Sequence, residues 1–391
     1  DSPSRSTDSI FRKLTMGTLT GARTGMVSSG NPEASLSVRG SDNGYAFVID
    51  DAPAVEVDEL TGGLRALTTP SGKALLKEPV LFNVTRASTD NDRGGAQMLM
   101  DFVLPPAGVN LVGMIVGTDL FSHEYHWGQN GLDASAPPKQ VCRGVTVDDS
   151  DLKEGKVSYA EAACAGEMVK AADGKGLFDV SSTYRVHRNG DVKVTCKVKA
   201  KNVKKGLTSL PRVGLTLALD PSLFNISYLG RGSGDTTGEN YPDRQSAAFM
   251  GTHSGTPASM HVPYIVPSEN GARTDCSWAC FADVAGEGLI IRAGPGRAGA
   301  SFSFSAGLHT QAELHEAEHT YDLPIRKQGV DPVYVNVDHR IMGVGGDCSW
   351  LPCVYPEYLV EPGDEYEFEL WLCPVGKGQS SEAQGRRPLG V

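Results

Sequence analysis

The stretch Val333-Tyr334-Val335-Asn336-Val337-Asp338-His339-Arg340-Ile341-Met342-Gly343-Val344-Gly345-Gly346-Asp347-Cys348-Ser349-Trp350 decides how this chain is read. Val333, Val335 and Val337 alternate with Tyr334, Asn336 and Asp338, the period of a strand with one apolar face buried and a polar face toward water. Gly343, Gly345 and Gly346 then let the backbone turn tightly or approach another surface closely. The bend ends at Trp350, a large apolar face with one N–H donor. Taken alone, such a tryptophan packs as core beneath a loop.

The same alternation recurs outward from this stretch. It predicts strands at Tyr45 to Ile49, Val80 to Val84, Met98 to Leu104 and Tyr366 to Leu372, and further strands are expected at Pro211 to Leu219, Leu289 to Arg292 and Ser301 to Ser305. The clearest local signal is Ser182 to Ala200, where Asn189-Gly190 separates two alternating runs as in a tight hairpin. Val192, Val194, Cys196 and Val198 are expected to face in. Lys193, Lys197 and Lys199 then make a like-charged outer face, read as a solvated edge strand. Helix signals are few: Gln311 to His319 predicts one short helix, and Tyr159 to Lys170 has helical composition. Residues 105–150, with Pro105-Pro106, Pro137-Pro138 and Asn130-Gly131, read as a long irregular loop.

Composition agrees. The chain has 391 residues, and 46 Gly and 23 Pro beside 40% apolar residues predict many turns between short strands. No repeat and no composition break divides the chain, so one large antiparallel all-β architecture is expected, with few short helices. A net charge of −11 with dispersed basic residues argues against nucleic acid or an anionic membrane as partner. The best apolar run, Leu111 to Val116, is far shorter than the roughly 18 residues a membrane span needs. The chain begins at Asp1 with no apolar leader, which is read as a processed product or a fragment, with an organelle or secretory compartment expected. Eight cysteines are too few for a disulfide scaffold, and Cys276/Cys280 and Cys348/Cys353 lack zinc-ribbon spacing, so buried thiols are expected.

Three organisational units follow. Residues 1–33 form a polar extended arm in which Ile10, Phe11, Leu14 and Met16 are the candidate anchors to a partner chain; residues 34–375 form the β domain; residues 376–391 are a C-terminal tail.

Several motifs invite chemistry. His315-Glu316-Ala317-Glu318-His319 matches the H-E-x-x-H zinc pattern. The predicted helix is short, Pro324 follows closely, and no downstream helix offers a third ligand, so a coincidence is expected and no metal site is assigned. Asp90-Asn91-Asp92 lacks the further acids of a calcium loop and reads as a turn held by its own side chains. Glu239-Asn240-Tyr241-Pro242-Asp243-Arg244 reads as a loop locked by an Asp–Arg pair. Asn83-Val84-Thr85 and Asn225-Ile226-Ser227 are glycosylation acceptors in form only, since both are expected inside buried strands.

Five motifs in order carry a family resemblance: Thr85-Arg86-Ala87-Ser88-Thr89-Asp90-Asn91-Asp92, Leu210-Pro211-Arg212-Val213-Gly214, Glu239 to Arg244, Pro267-Ser268-Glu269-Asn270-Gly271, and Tyr334 to Trp350. Over residues 34–375 the chain resembles the C-terminal domain of family 2 glycoside hydrolase β-galactosidases, the part that forms a separate small chain in split versions. The resemblance implies an all-β supersandwich of the galactose-mutarotase-like type. It implies that Trp350 forms an apolar wall for the sugar in a neighbouring barrel domain, with the loop beginning Arg93-Gly94-Gly95 close by. The family's catalytic acid and nucleophile belong to that barrel. No stretch of this chain supplies it, so no catalytic residue and no cofactor are assigned, and the chain alone is expected to be inert. Other protein chains, a catalytic barrel chain or a larger complex, are the expected partners, with a galactoside as ligand. The chain departs from the family pattern at Thr85, usually aromatic, at Ser88, usually proline, and in extra residues around Ser233 to Thr237. The alternative expectation is a repurposed structural or carbohydrate-binding subunit of an assembly.

Overall fold

The structure, a computed structural model, describes residues 34–94, 122–203, 207–232, 241–243, 249–294, 300–345 and 354–390. The arm 1–33, the strand expected at Met98 to Leu104, Gly95, Arg244 and Trp350 lie outside the described residues.

A first meander consists of β1 (Leu36–Ser41), β2 (Gly44–Ile49), β3 (Ala52–Asp58) and β4 (Leu64–Leu67), paired antiparallel in that order. The remaining strands are β5 (Leu81–Asn83), β6 (Lys139–Asp148), β7 (Tyr159–Val169), β8 (Gly176–His187), β9 (Val192–Ala200), β10 (Arg212–Leu219), β11 (Asn225–Gly232), β12 (Phe249–Gly255), β13 (Arg273–Ala282), β14 (Gly288–Ala293), β15 (Phe302–Gly307), β16 (Val333–Ile341) and β17 (Glu365–Val375). They form one 13-stranded sheet whose main path runs β5-β10-β16-β15-β13-β14-β17-β9-β8-β7-β6, with β11 and β12 branching from β13. The large antiparallel all-β architecture read from the sequence is the one found.

The two sheets share a core. Phe47, Val55, Val57 and Leu64 of the small sheet pack with Tyr184, Val186, Val194 and Leu215 of the large one. Polar stitches fix the contact: Tyr184 Oη donates to Gly62 O at 2.9 Å, while Gln140 donates to Thr61 O at 2.7 Å and accepts from Phe82 N at 2.9 Å. A second apolar cluster, Trp278, Cys280, Ile290, Trp371, Cys373 and Val375, lies on β13, β14 and β17.

The hairpin β8–β9 turns at Asn189-Gly190, with Gly190 at φ 85°, and Val192, Val194, Cys196 and Val198 are buried as expected. The edge reading of β9 is corrected. β9 lies between β8 and β17, and its lysines face acids of β17: Lys193 with Glu369 (2.5 Å), Lys197 with Glu367 (3.1 Å) and Lys199 with Glu365 (3.5 Å). Such exposed pairs contribute at most about 1 kcal/mol each, against roughly 1.5–3 kcal/mol for each buried valine, so the ladder sets pairing more than stability.

Other expectations change for physical reasons. Tyr159 to Lys170 is mostly strand β7, not helix, because Ala160, Ala162 and Cys164 alternate inward between β6 and β8; period two overrides the helix propensity of alanine and glutamate. The loop expected over 105–150 contains helix α2 (His123–Asn130), capped by Ser122, and strand β6. It follows a single-turn helix α1 (Asp90–Arg93). Three further helices are α3 (Ser150–Lys153), α4 (Pro257–Met260) and α5 (Gln311–Glu316), and α6 (Ser381–Arg386) lies in the tail. Helix α5 stops short of the expected His319, since Ala317 is extended. Asn83 is buried, but Asn225 at the start of β11 is exposed, contrary to the buried strand expected for it. Cys276 and Cys280 are buried free thiols, and Cys348 and Cys353 lie outside the described residues.

Candidate functional site

Strand β16 delivers the glycine bend, and its polar face is not solvated as the alternation implied. Asn336 and Asp338 are as buried as the valines between them, because β16 runs between β10 and β15 in the middle of the sheet. Asn336 Oδ1 accepts from Asn83 Nδ2 at 3.0 Å, and Asn336 Nδ2 donates to Ser305 at 3.3 Å. Asp338 meets Arg212 of β10, Nη1 to Oδ2 3.6 Å, and the same guanidinium pairs with Glu269. All three side chains are inaccessible to solvent. Burial pushes the Asp338 carboxyl up to about 7; Arg212 opposes the shift and Glu269 adds to it. For Arg212, burial works against the charge, but Asp338 and Glu269 outweigh it and hold its pKa above the usual value.

Beyond Ile341 the bend is clamped from two sides. Arg86, fully buried, donates Nη1 to Met342 O at 2.6 Å and Nη2 to Gly343 O at 3.1 Å. The same guanidinium holds Asp92 in a bidentate pair, Nε to Oδ2 3.0 Å and Nη2 to Oδ1 2.5 Å, and lies over the Trp127 ring at 5.3 Å. On the opposite side Asp243 accepts from Val344 N at 3.2 Å and from Gly345 N at 2.6 Å. The glycine requirement is steric: a Cβ on Gly343 would stand 2.6 Å from Asp243 Oδ2. Gly343 N donates to Tyr358 O at 3.0 Å. The loop around Asp243 is therefore locked, but by backbone N–H groups of the bend; the Asp–Arg pairing expected with Arg244 falls outside the described residues.

Asp92 belongs to α1, where Thr89 and Asp92 form a reciprocal capping box, so the Asp-Asn-Asp turn is held by its own side chains. Arg93 closes this helix with Nε 3.6 Å from Glu124 Oε1, and Gly94 follows at φ 74° with its N–H on Asp90 O. Arg86 thus joins the turn carrying Arg93 and Gly94 to the bend that leads toward Trp350. The partner candidates Gly95 and Trp350 lie outside the described residues.

The H-E-x-x-H histidines do not share a helical face. His315 Nδ1 accepts from Ser88 N at 3.3 Å, which leaves its ring proton on Nε2, toward Asp133 Oδ1 (3.4 Å) and Glu124 Oε1 (3.7 Å). His319 lies past the end of α5 and stacks on Tyr321, ring centroids 4.8 Å apart. No group of His, Cys, Asp and Glu able to hold a metal is found among the described residues. A proline at 88 would have no N–H to give His315.

A cleft of about 1050 Å³ opens beside the bend, lined among others by His339, Ile341, Tyr358, Tyr366 and Phe368. His339 stacks on Phe368, ring centroids 5.3 Å apart. Three carboxylates at its wall are paired, Glu367 with Lys197, Glu369 with Lys193 and Asp275 with Arg231. The inaccessible Arg86–Asp92 and Arg212–Glu269–Asp338 groups cannot reach a substrate. Their chemistry is positional: they fix where β16 ends and how the bend leaves it.

Residues 50–372 match the family described as the β-galactosidase small chain. The chain belongs to that family. It is 29% identical over 352 residues to a β-galactosidase of Psychromonas ingrahamii, covering 89% of this chain and 28% of the relative. It is 32% identical over 345 residues to a β-galactosidase of Vibrio vulnificus, covering 86% of this chain and 28% of that one. This small-chain-type sequence therefore spans little more than a quarter of the length of those relatives. Among solved structures it is similar to a galactose mutarotase-like protein from Lactobacillus casei (TM-score 0.39, 10% identity, 87% of this chain and 100% of the other) and to an aldose epimerase homologue from C. elegans (TM-score 0.38, 9% identity, 88% and 100%).

Sequence reasoning quoted Arg86, Arg212, Glu269 and Asp338 inside motifs without giving them roles. For Arg86, Arg212 and Asp338 the usable signal was position, since each stands beside an apolar residue in a stretch otherwise fit for a core and a buried charge needs a partner of opposite sign; Glu269, between Ser268 and Asn270, carries no such signal.

Proposed function

We propose that this chain is the part of a β-galactoside-hydrolysing enzyme that completes a sugar site built on another domain, with Trp350 as the apolar wall and the turn at Arg93-Gly94-Gly95 beside it. The observation that carries this reading is the Arg86 clamp. One buried guanidinium holds both the helix ending in Arg93 and the backbone of the bend at Met342 and Gly343. In this reading, holding the bend at Met342 to Gly345 lowers the ordering cost of offering Trp350 to the sugar.

In this reading the chain brings no acid and nucleophile. Glycoside hydrolysis generally needs two carboxyl groups at a fixed separation across the scissile bond. The buried acids near the bend are paired and sealed from solvent. The chain alone is therefore inert, and its partner is a catalytic barrel, on a separate chain or on the remainder of a longer one. Assaying the chain by itself and joined to such a barrel tests this: hydrolysis by the joined form only supports the reading, and turnover by the isolated chain sinks it.

A second reading, a structural subunit without turnover, is favoured by one observation. The departures at Thr85 and Ser88 lie in the segment that Arg86 anchors, and Ser88 has acquired its own partner in His315. Joined chains that bind no galactoside would favour it.

A further inference from the structure

The stretch matched to the family ends at residue 372, yet the chain continues into a segment seated in a fitted groove. Helix α6 and the residues after it lie on the outer faces of β13, β14 and β17, over the second apolar cluster, to which Leu389 adds. Arg387 enters the groove and forms a bidentate pair with Asp191, whose side chain is fully buried; Nη1 to Oδ2 is 2.7 Å. Gly390 N also donates to Asp191 Oδ2, at 3.3 Å. Arg292 of β14 donates to Arg387 O at 2.6 Å. Asp191 is held for this task by the hairpin turn, because its carboxylate accepts from Asn189 Nδ2 at 3.1 Å. Gly385 lies flat on Trp278, where a Cβ would come within 2.7 Å of the indole.

These are the parts of a peptide-recognition site: a buried anion for one arginine, a guanidinium donor reading the main chain, an aromatic floor admitting only glycine, and an apolar contact for leucine. We propose that the groove is a peptide-binding site for a Gly-x-Arg-Pro-Leu-Gly segment, occupied here in cis by residues 385–390 and able to exchange that segment for the same sequence supplied in trans. The helix of this segment, α6, has six residues and lies outside the strand ladder, held beyond the groove by contacts that include Ser227 with Ser381 at 3.0 Å and Gly378 N with Ala285 O at 3.0 Å. A segment so attached opens locally, without the sheet unfolding. When it leaves, the Trp278–Trp371 surface and Asp191 become available together.

The test uses the full chain carrying Arg387→Ala, whose own tail is weakened while the groove is intact. A fluorescently labelled peptide of residues 379–390 is titrated into it. Saturable binding is expected, at least about tenfold tighter than to the unmodified chain, where the tethered tail competes. A peptide with alanine at the position of Arg387 should bind at least about thirtyfold more weakly. Absence of saturable binding to a receptor with native near-ultraviolet circular dichroism, or equal binding of the two peptides, overturns the proposal. If Arg387→Ala fails to fold, hydrogen exchange on the unmodified chain decides. Exchange of the Ala383, Gln384 and Gly390 amides ahead of the β17 amides supports an exchangeable segment, and exchange only together with β17 refutes it.

Discussion

Arg86 hydrogen-bonds the carbonyl oxygen of Gly343, 257 positions further along the chain, at 3.1 Å, and does so from a fully buried guanidinium that also holds Asp92. Two distant segments are thereby fixed relative to each other by one side chain. The cation is balanced by one carboxylate and two carbonyl dipoles, so removing it leaves Asp92 a buried carboxylate without its counter-charge, still bonded to Thr89 N, and takes the arginine donor from both carbonyls.

Arg86→Met should cost about 3–5 kcal/mol of folding stability, the magnitude for breaking a buried ion pair from one side. Arg86→Lys should recover only part of it, because an ammonium cannot span Asp92 and two carbonyls as a planar fork does. Urea unfolding of the three proteins checks this, and an unchanged midpoint for Arg86→Met would show the clamp to be incidental.

Asp338 gives a pH dependence of definite sign. Its folded pKa, about 7, lies above the ordinary carboxyl value of 3.8, so the folded state binds more protons than the unfolded chain between those limits. Its contribution is most favourable below the ordinary value and is lost as pH rises toward 7. Asp338→Asn removes the titration, so the variant should gain stability relative to the parent as pH goes from 5 to 8. A stability difference that is the same at both pH values would contradict this.

Ser88→Pro removes the N–H on His315 Nδ1. It should cost about 1–3 kcal/mol as a lost buried hydrogen bond, and clearly less in a His315→Ala background. Equal costs in the two backgrounds, measured by a double-mutant cycle, would show that the contact is not the reason serine is tolerated there.

Gly343→Ala places a methyl 2.6 Å from Asp243 Oδ2, so the carboxylate must leave its two N–H partners. A loss of about 1–3 kcal/mol is expected. Asp243→Ala should already have forfeited those bonds, so the glycine substitution should cost clearly less in that background, where the tight contact left is Tyr358 Cβ at 3.0 Å, and urea unfolding of the four proteins checks this.

Much of the fold was legible because the signal that builds it is local. The Asn189-Gly190 hairpin shows period-two alternation that the sheet preserves, and β10, β14, β15, β16 and β17 fall on the stretches read as strands. The misreadings arose where position in the sheet, rather than local pattern, decides. Lys193, Lys197 and Lys199 look like an edge until β17 brings three glutamates opposite them. Asp338 looks solvated until β10 and β15 close over it, and residues 159–170 look helical until β6 and β8 pair with them. Of the candidate site, the motifs marked the right segments. The partnerships of Arg86 with Gly343 and of Arg212 with Asp338 join residues more than a hundred positions apart, which no local pattern encodes.

The central claim is that the clamped bend presents Trp350 to a sugar. Its most direct test is the affinity of the assembled enzyme, this chain joined to its catalytic barrel, for a galactoside inhibitor, with Trp350 and with Trp350→Ala. Removing an apolar wall of this kind costs roughly 1.5–3 kcal/mol, so the account predicts a dissociation constant at least about tenfold weaker for the variant. An unchanged dissociation constant would contradict it and return Trp350 to the role of a core residue beneath a loop.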